Sequence, residues 1–164
     1  MERYTIGALV SNKSGVLTRV AALFSRRGYN IESLCVCSTE DESLSRMTIV
    51  LNGDEYILGQ MIKQMDKLVD VKKIVRVEED SVCRELLVVK VRADGKTRTQ
   101  VLEICSIFRA NVVDASPETL ILELTGKTNK IDGFINMLMP HGIIELARTG
   151  VTAISRGKEH ILEK

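Results

Sequence analysis

The sequence predicts an α+β fold: two tandem ferredoxin-like (βαββαβ) two-layer sandwiches. Three observations carry that expectation. Strand-period and helix-period apolar patterns alternate in the order strand, helix, strand, strand, helix, strand. The same order then recurs after a polar stretch, as a repeat of about 80 residues in element order rather than in sequence identity. The length, 164 residues, suits two small domains.

In the first half, residues 4–10 alternate as a strand with Tyr4, Ile6, Ala8 and Val10 on one face. Asn12-Lys13-Ser14-Gly15 is a turn with helix-start chemistry, and Val16, Leu17, Val20, Ala21 and Phe24 follow at helical spacing. Arg26-Arg27-Gly28 closes that helix with cations and then a glycine. Residues 30–38 and 44–51 read as a hairpin across the polar turn at residues 39–43. A second helix begins near Asp54 with Ile57, Met61, Met65 and Leu68 on one stripe, and residues 71–77 are the last strand. Domains are expected at 1–78 and 84–164, joined by a linker at 79–83.

The second half opens with a strand at 84–92 and a turn at Asp94-Gly95. A helix from about Thr97 carries Val101, Ile104, Cys105 and Phe108. Residues 111–115 and 119–124 pair across Ser116-Pro117. A helix over 127–139 turns Ile131, Phe134, Ile135 and Leu138 inward and stops at Pro140 and Gly142, and residues 143–154 hold the final strand. Met47, Met61, Met65, Met137 and Met139 fall on inward stripes as core filling.

Composition excludes several classes. Hydrophobic residues are 45% and charged residues 27%, which is globular. Twenty-three basic side chains balance 22 acidic ones, so nothing electrostatic points to nucleic acid. No apolar run reaches the roughly 18 residues of a membrane span. The N-terminus resembles no signal peptide, and four cysteines without one imply free thiols in the cytoplasm. Two histidines, His141 and His160, offer little general-base or metal chemistry, and no Ser/His/Asp or Cys/His set can be assembled.

Both faces of several strands are apolar. Leu34 and Val36 alternate with Cys35 and Cys37, and residues 86–89 and 120–122 are continuous apolar runs. A two-layer sandwich covers one sheet face with helices, so another subunit is the expected cover for the second.

The loop before the first helix is the candidate site. Helix-start amides lack internal acceptors and sit at the positive end of the dipole. A carboxylate or phosphate fits the amides of Gly15, Val16 and Leu17, and Gly15 permits close approach. Asn12 adds a side-chain amide that donates and accepts, which suits a zwitterion carrying ammonium and carboxylate. The spacing alone favours the plainer alternative, a helix capped by Ser14 or Asn12. Cys35-Val36-Cys37 puts two thiols on one strand face without a third ligand nearby and reads as core cysteine. Arg148-Thr149-Gly150 and Ser155-Arg156-Gly157 flank the last strand, as a partner-binding edge or as solvated ends.

The run Asn12-x-x-Gly15-Val16-Leu17-x-Arg19-Val20, continuing through residues 23–34, carries a family resemblance. So do Ser45-Arg46-Met47-Thr48, Lys67-Leu68-Val69-Asp70-Val71, Arg84-Glu85-Leu86 and Arg148-Thr149-Gly150-Val151. Together they cover almost the whole chain, which resembles the small regulatory subunit of acetolactate (acetohydroxyacid) synthase. Ser11 stands where that family usually has Glu, and Ala22 where it often has Gly. The resemblance implies an N-terminal ACT domain that binds an amino acid, a second ferredoxin-like domain, and no active site on this chain. It implies a large catalytic subunit as partner, and that subunit carries the thiamine diphosphate, Mg²⁺ and FAD; this chain binds no cofactor or metal itself. It further implies activation of that partner and feedback inhibition by valine or another branched-chain amino acid. The effector would lie between the ACT domains of a homodimer, with Asn12, Gly15, Val16 and Leu17 from one subunit facing Asn30 and Ile31 from the other. Three alternatives share the fold. An acylphosphatase-like enzyme needs an arginine in the first loop, where residues 11–16 offer only Lys13. An RNA-recognition module needs aromatics on its central strands, and residues 44–51 have none. A stand-alone amino-acid sensor is compatible with the same residues.

Overall fold

The computed structural model describes residues 2–158 and 160–162; Met1, Glu159, Glu163 and Lys164 lie outside it. The chain divides into two compact units, one formed by Met1–Val82 with Val151–Lys164 and the other by Cys83–Gly150.

Unit 1 contains β1 (Glu2–Ser11), α1 (Val16–Ser25), β2 (Ile31–Ser38), β3 (Leu44–Gly53), α2 (Glu55–Met65) and β4 (Val71–Arg76). The antiparallel sheet runs β2-β3-β1-β4, which makes β2 an edge strand. Alternation along β1 puts Tyr4, Ile6, Ala8 and Val10 against the helices, where all four join the core. Val16, Val20 and Phe24 recur every four residues and seat α1 on that face. Leu58, Met61 and Met65, three and then four residues apart, seat α2. Asp54 caps α2 by accepting from the Ile57 amide at 2.8 Å, and Glu55 in the first turn and Lys63 in the last match the dipole.

Unit 2 contains β5 (Val82–Arg92), α3 (Arg98–Phe108), β6 (Asn111–Ala115), β7 (Thr119–Gly126), α4 (Thr128–Leu138), a single 3₁₀ turn at Met139–His141 and β8 (Ile143–Arg148). Its sheet is ordered β6-β7-β5-β8, the same topology again. Leu87, Val89 and Val91 alternate inward from β5 and meet Val101, Ile104, Ile131, Phe134 and Leu138 from the two helices. The Phe108 and Phe134 rings pack tilted, with centroids 5.3 Å apart.

Three expectations need correction. The final strand is not continuous over 143–154. It breaks after Arg148, where the Thr149 amide turns back to the Leu86 carbonyl, and resumes as β9 (Thr152–Ile154). Residues 151–164, expected in the second domain, group with unit 1, and β5 already begins inside the expected linker. Met137 on α4 and Met139 in the 3₁₀ turn are exposed, at 48% and 64%. Met47, Met61 and Met65 are core, as expected.

The returning segment also answers for the second sheet face of unit 1. Register places Gly7, Thr48 and Cys35 in one cross-strand row on the face away from the helices, with Leu9, Arg46 and Cys37 in the next. Residues 151–153 reach that face. The Val151 amide donates to Ser33 Oγ at 3.2 Å, Cys35 Sγ lies 3.4 Å from Thr152 Oγ1, and Arg46 Nη2 donates to the Ala153 carbonyl at 2.8 Å. Thr48 and Val50 are buried there at 3% and 0% exposure. Apolar residues on that face are thus covered in part by the chain itself, where a second subunit had been expected.

Candidate functional site

The loop from Ser11 to Val16 is pinned from both sides. The Ser11 amide donates to the Asp70 carbonyl at 2.8 Å, and the Asn12 amide to the Ser43 carbonyl at 2.7 Å. Asn12 Nδ2 donates to the Glu42 carbonyl at 2.8 Å, which commits the donor end of that side chain and leaves Oδ1 as an acceptor. Gly15 occupies the cap position of α1 in the left-handed region, with φ of 81°. That backbone favours glycine and explains why neither Ser14 nor Asn12 caps the helix.

The first turn of α1 is consequently open. Among the described residues, no hydrogen bond is made to the amides of Gly15, Leu17 or Thr18, and the Val16 amide has only a long 3.4 Å contact to the Lys13 carbonyl. The Val16 side chain is in the core, so only its backbone faces the loop, whereas Leu17 is 44% exposed. Exposed, unpaired amides at the positive end of a helix are an anion site in waiting.

Arg19 completes that end of the site, and sequence reasoning did not place it there. Its Nε and Nη2 bind Asp70 Oδ2 at 2.8 and 2.6 Å. Its third nitrogen, Nη1, lies 3.1 Å from where a Cβ on Gly15 would stand. Arg19 is four residues after Gly15, hence on the same side of the helix, and that spacing was the available signal. Asp70 had none, because its partner is 51 residues away in sequence.

The loop holds Asn12, Gly15, Val16 and Leu17 together, and Arg19 and Asp70 join them. Asn30 and Ile31 are not with them in one chain. Ile31 pairs with Leu51, which pairs with Tyr4, whereas Ser11 pairs with Leu44. Seven residues of strand, about 23 Å at about 3.3 Å per residue, separate the two groups.

In the corresponding loop of unit 2 the Thr97 amide, equivalent to that of Gly15, is taken, and so is that of Arg98, which donates to the Asp94 carbonyl at 2.9 Å. The Asp94 carboxylate accepts from the amides of Lys96 and Thr97, both at 3.0 Å, and from Thr97 Oγ1. Those bonds, the Thr97 amide first, hold its carboxyl below the ordinary carboxylate value. Arg148-Thr149 at the end of β8 proves to be internal architecture. Arg148 Nε donates to buried Glu85, its Nη1 donates to Asp132 at 2.7 Å, and Thr149 Oγ1 accepts from the Leu86 amide at 2.9 Å. Glu85-Leu86 and Arg148-Thr149 are two halves of one latch.

Comparison with known proteins decides the family. Residues 6–73 match the model described as the AHAS small subunit-like ACT domain, and residues 84–157 match the model of the small subunit of acetolactate synthase. The chain belongs to the acetolactate synthase small-subunit family. It is 50% identical over 159 residues to the acetolactate synthase small subunit of Mycolicibacterium smegmatis, covering 96% of this chain and 94% of that one. A probable acetolactate synthase small subunit of Archaeoglobus fulgidus is 48% identical over 157 residues, covering 96% and 99%. The crystal structure of the small subunit from Thermotoga maritima superposes with a TM-score of 0.90 at 38% identity, over 97% of this chain and all of that one. Both units of the family fold are therefore present, and the loop at Asn12–Leu17 lies in the ACT-type unit.

Proposed function

We propose that the chain is the regulatory subunit of an acetolactate synthase: it docks and activates a large catalytic subunit and makes it sensitive to valine or another branched-chain amino acid. The open first turn of α1 carries the effector part of this reading. Amides of Gly15, Leu17 and Thr18, with Arg19 Nη1 beside them, suit a carboxylate; Asn12 Oδ1, freed by the bond from Nδ2 to Glu42, suits an ammonium. The family membership supports the docking part.

The topology also supports a two-copy site. β2 is an edge strand whose Ser38 end lies at the Asn12 end of the sheet, since Ser38 pairs with Ser45 beside Leu44. If β2 pairs antiparallel with β2 of a second copy, the partner's strand runs in reverse. Its start, and with it a second Asn30 and Ile31, then comes to the Asn12 end. One dimer of this kind supplies both halves of the expected effector site, which a single chain separates. The thiamine diphosphate, Mg²⁺ and FAD chemistry falls to the catalytic partner in this reading.

Reconstitution tests it. The purified chain is expected to form no acetolactate, to raise turnover of the large subunit and to confer valine inhibition, and to scatter light as a dimer of 18.3 kDa chains or larger. A clean monomer at tens of micromolar would remove the two-copy site. Failure to bind or stimulate the large subunit, with valine binding intact, would instead favour a stand-alone sensor.

A further inference from the structure

The sheet face of unit 1 opposite the helices holds a cavity of about 540 Å³. It lies between the strands and the returning C-terminal segment. Its walls are largely apolar, with Leu9, Leu44 and Val75 from the sheet side and Ile154 and Leu162 from the tail. It shares no residue with the Asn12–Arg19 loop.

Arg46, Glu40 and Asp41 are the acidic and basic side chains of that lining besides His160, and Arg46 is the one with a buried polar atom left without a partner. The Arg46 guanidinium spends Nη2 on the Ala153 carbonyl at 2.8 Å, while its Nε is buried with no hydrogen-bond partner among the described residues. No carboxylate among the described residues makes an ion pair with it. Asp41 on the same rim is already occupied, accepting from Ser43 N at 2.9 Å and Ser43 Oγ at 2.7 Å. A half-buried guanidinium with one buried nitrogen unpaired is costly unless something of opposite charge meets it. The sheet makes room for it deliberately: a Cβ on Gly7 would stand 3.4 Å from Arg46 Nη2 and 3.2 Å from Val75 Cγ2. Burial also depresses the guanidinium's affinity for its proton. Ser45-Arg46-Met47-Thr48 is one of the family's motifs, and the effector site uses none of it.

We propose that this cavity is a second ligand site, for an apolar monocarboxylate whose head meets the Arg46 guanidinium and whose hydrocarbon lies along Leu9, Val75 and Ile154. At about 30 Å³ per water-sized group, the cavity has room for a chain longer than an amino-acid side chain. The carboxylate relieves the unsatisfied guanidinium, and the apolar walls make the hydrocarbon favourable. The site stands whether or not the Asn12 loop binds valine.

Cys37 lines the same cavity and reports on it. The full chain is alkylated with iodoacetamide, and the rate at Cys37 is followed by peptide mapping, with octanoate, 4-methylpentanoate, octan-1-ol, acetate or valine present. Saturable protection of Cys37, about tenfold or more, is expected with a carboxylate that carries a hydrocarbon chain and not with octan-1-ol, acetate or valine. Tighter binding of octanoate assigns the site to linear acids, and tighter binding of 4-methylpentanoate to short branched ones. Arg46→Gln is expected to weaken protection at least about tenfold. Leu162→Glu, on a side chain 61% exposed and therefore safe for folding, is expected to weaken it as well. Equal protection by octan-1-ol, or none by either acid, overturns the proposal. So does full affinity in Arg46→Gln or, if that variant fails to fold, full affinity in Leu162→Glu.

Discussion

The loops that start the first helix in each unit have the same place in the same topology and opposite chemistry. Counted back from the helix start, Asn12 and Asp94 are equivalent. Asn12 turns its amide away to Glu42 and leaves the first turn of α1 open, with glycine at the cap. Asp94 bends its carboxylate onto the amides of Lys96 and Thr97 and closes the turn before α3. Unit 2 carries its own carboxylate where unit 1 leaves room for one from a ligand. The two copies of the fold thus differ at the start of their first helix: an internal anion takes the Thr97 amide, whose equivalent in unit 1, that of Gly15, has no partner among the described residues.

The largest expected effect breaks the open loop. Gly15→Asp places a carboxylate at the helix start, where it takes the effector's position beside Arg19 and repels the effector's own charge. At about 4 Å and an effective dielectric of about 20, that repulsion is about 4 kcal/mol, or about a thousandfold in affinity. The Cβ adds a 3.1 Å approach to Arg19 Nη1 and strain at φ of 81°. Stimulated turnover of the reconstituted enzyme is expected to persist while the response to millimolar valine disappears. An unchanged inhibition midpoint would move the effector off this loop.

Asn12→Asp is subtler and tests the comparison itself, because it turns the first loop into a copy of the second. The new carboxylate loses the bond to the Glu42 carbonyl and is repelled by that oxygen, so it swings towards the free amides. Valine affinity is expected to fall about tenfold to a hundredfold, measured by calorimetry on the full chain, with little change in thermal stability. A loss of stability without a loss of affinity would mean that Asn12 only pins the loop.

The fold was legible in the sequence because each element writes its own period. The stripe Val16, Val20, Phe24 and the alternation Tyr4, Ile6, Ala8, Val10 are both local, and both end in the core. The candidate loop was legible for the same reason: its glycine and its helix start are adjacent. What the sequence did not show is non-local. Arg19 meets Asp70 across 51 residues, and Arg46 meets Ala153 across 107. Val151–Ile154 continues the apolar pattern of β8, so nothing in the pattern announces that the chain leaves unit 2 and returns to cover unit 1. In unit 1 the doubly apolar strands accompany a second face that the chain itself covers in part, and periodicity does not say which chain supplies such a cover.

The smallest expected effect comes from opening the closed loop. Asp94→Ala removes the acceptor of two amides and of the Thr97 hydroxyl, as the loss of a helix cap would. The midpoint of thermal unfolding is expected to fall by a few degrees, read by calorimetry on the full chain. The wild-type contribution depends on pH in a definite direction. Because the native carboxyl sits below its ordinary value of about 4, the unfolded chain binds its proton more readily than the folded one. The stabilisation is therefore complete above the ordinary value and disappears as the pH falls through the lowered native value. Wild type and Asp94→Ala should differ in stability at pH 7 and converge in acid, and valine inhibition should be the same in both. A valine response that weakens in Asp94→Ala would show that the second loop is coupled to the first, and that its internal carboxylate does more than close a helix.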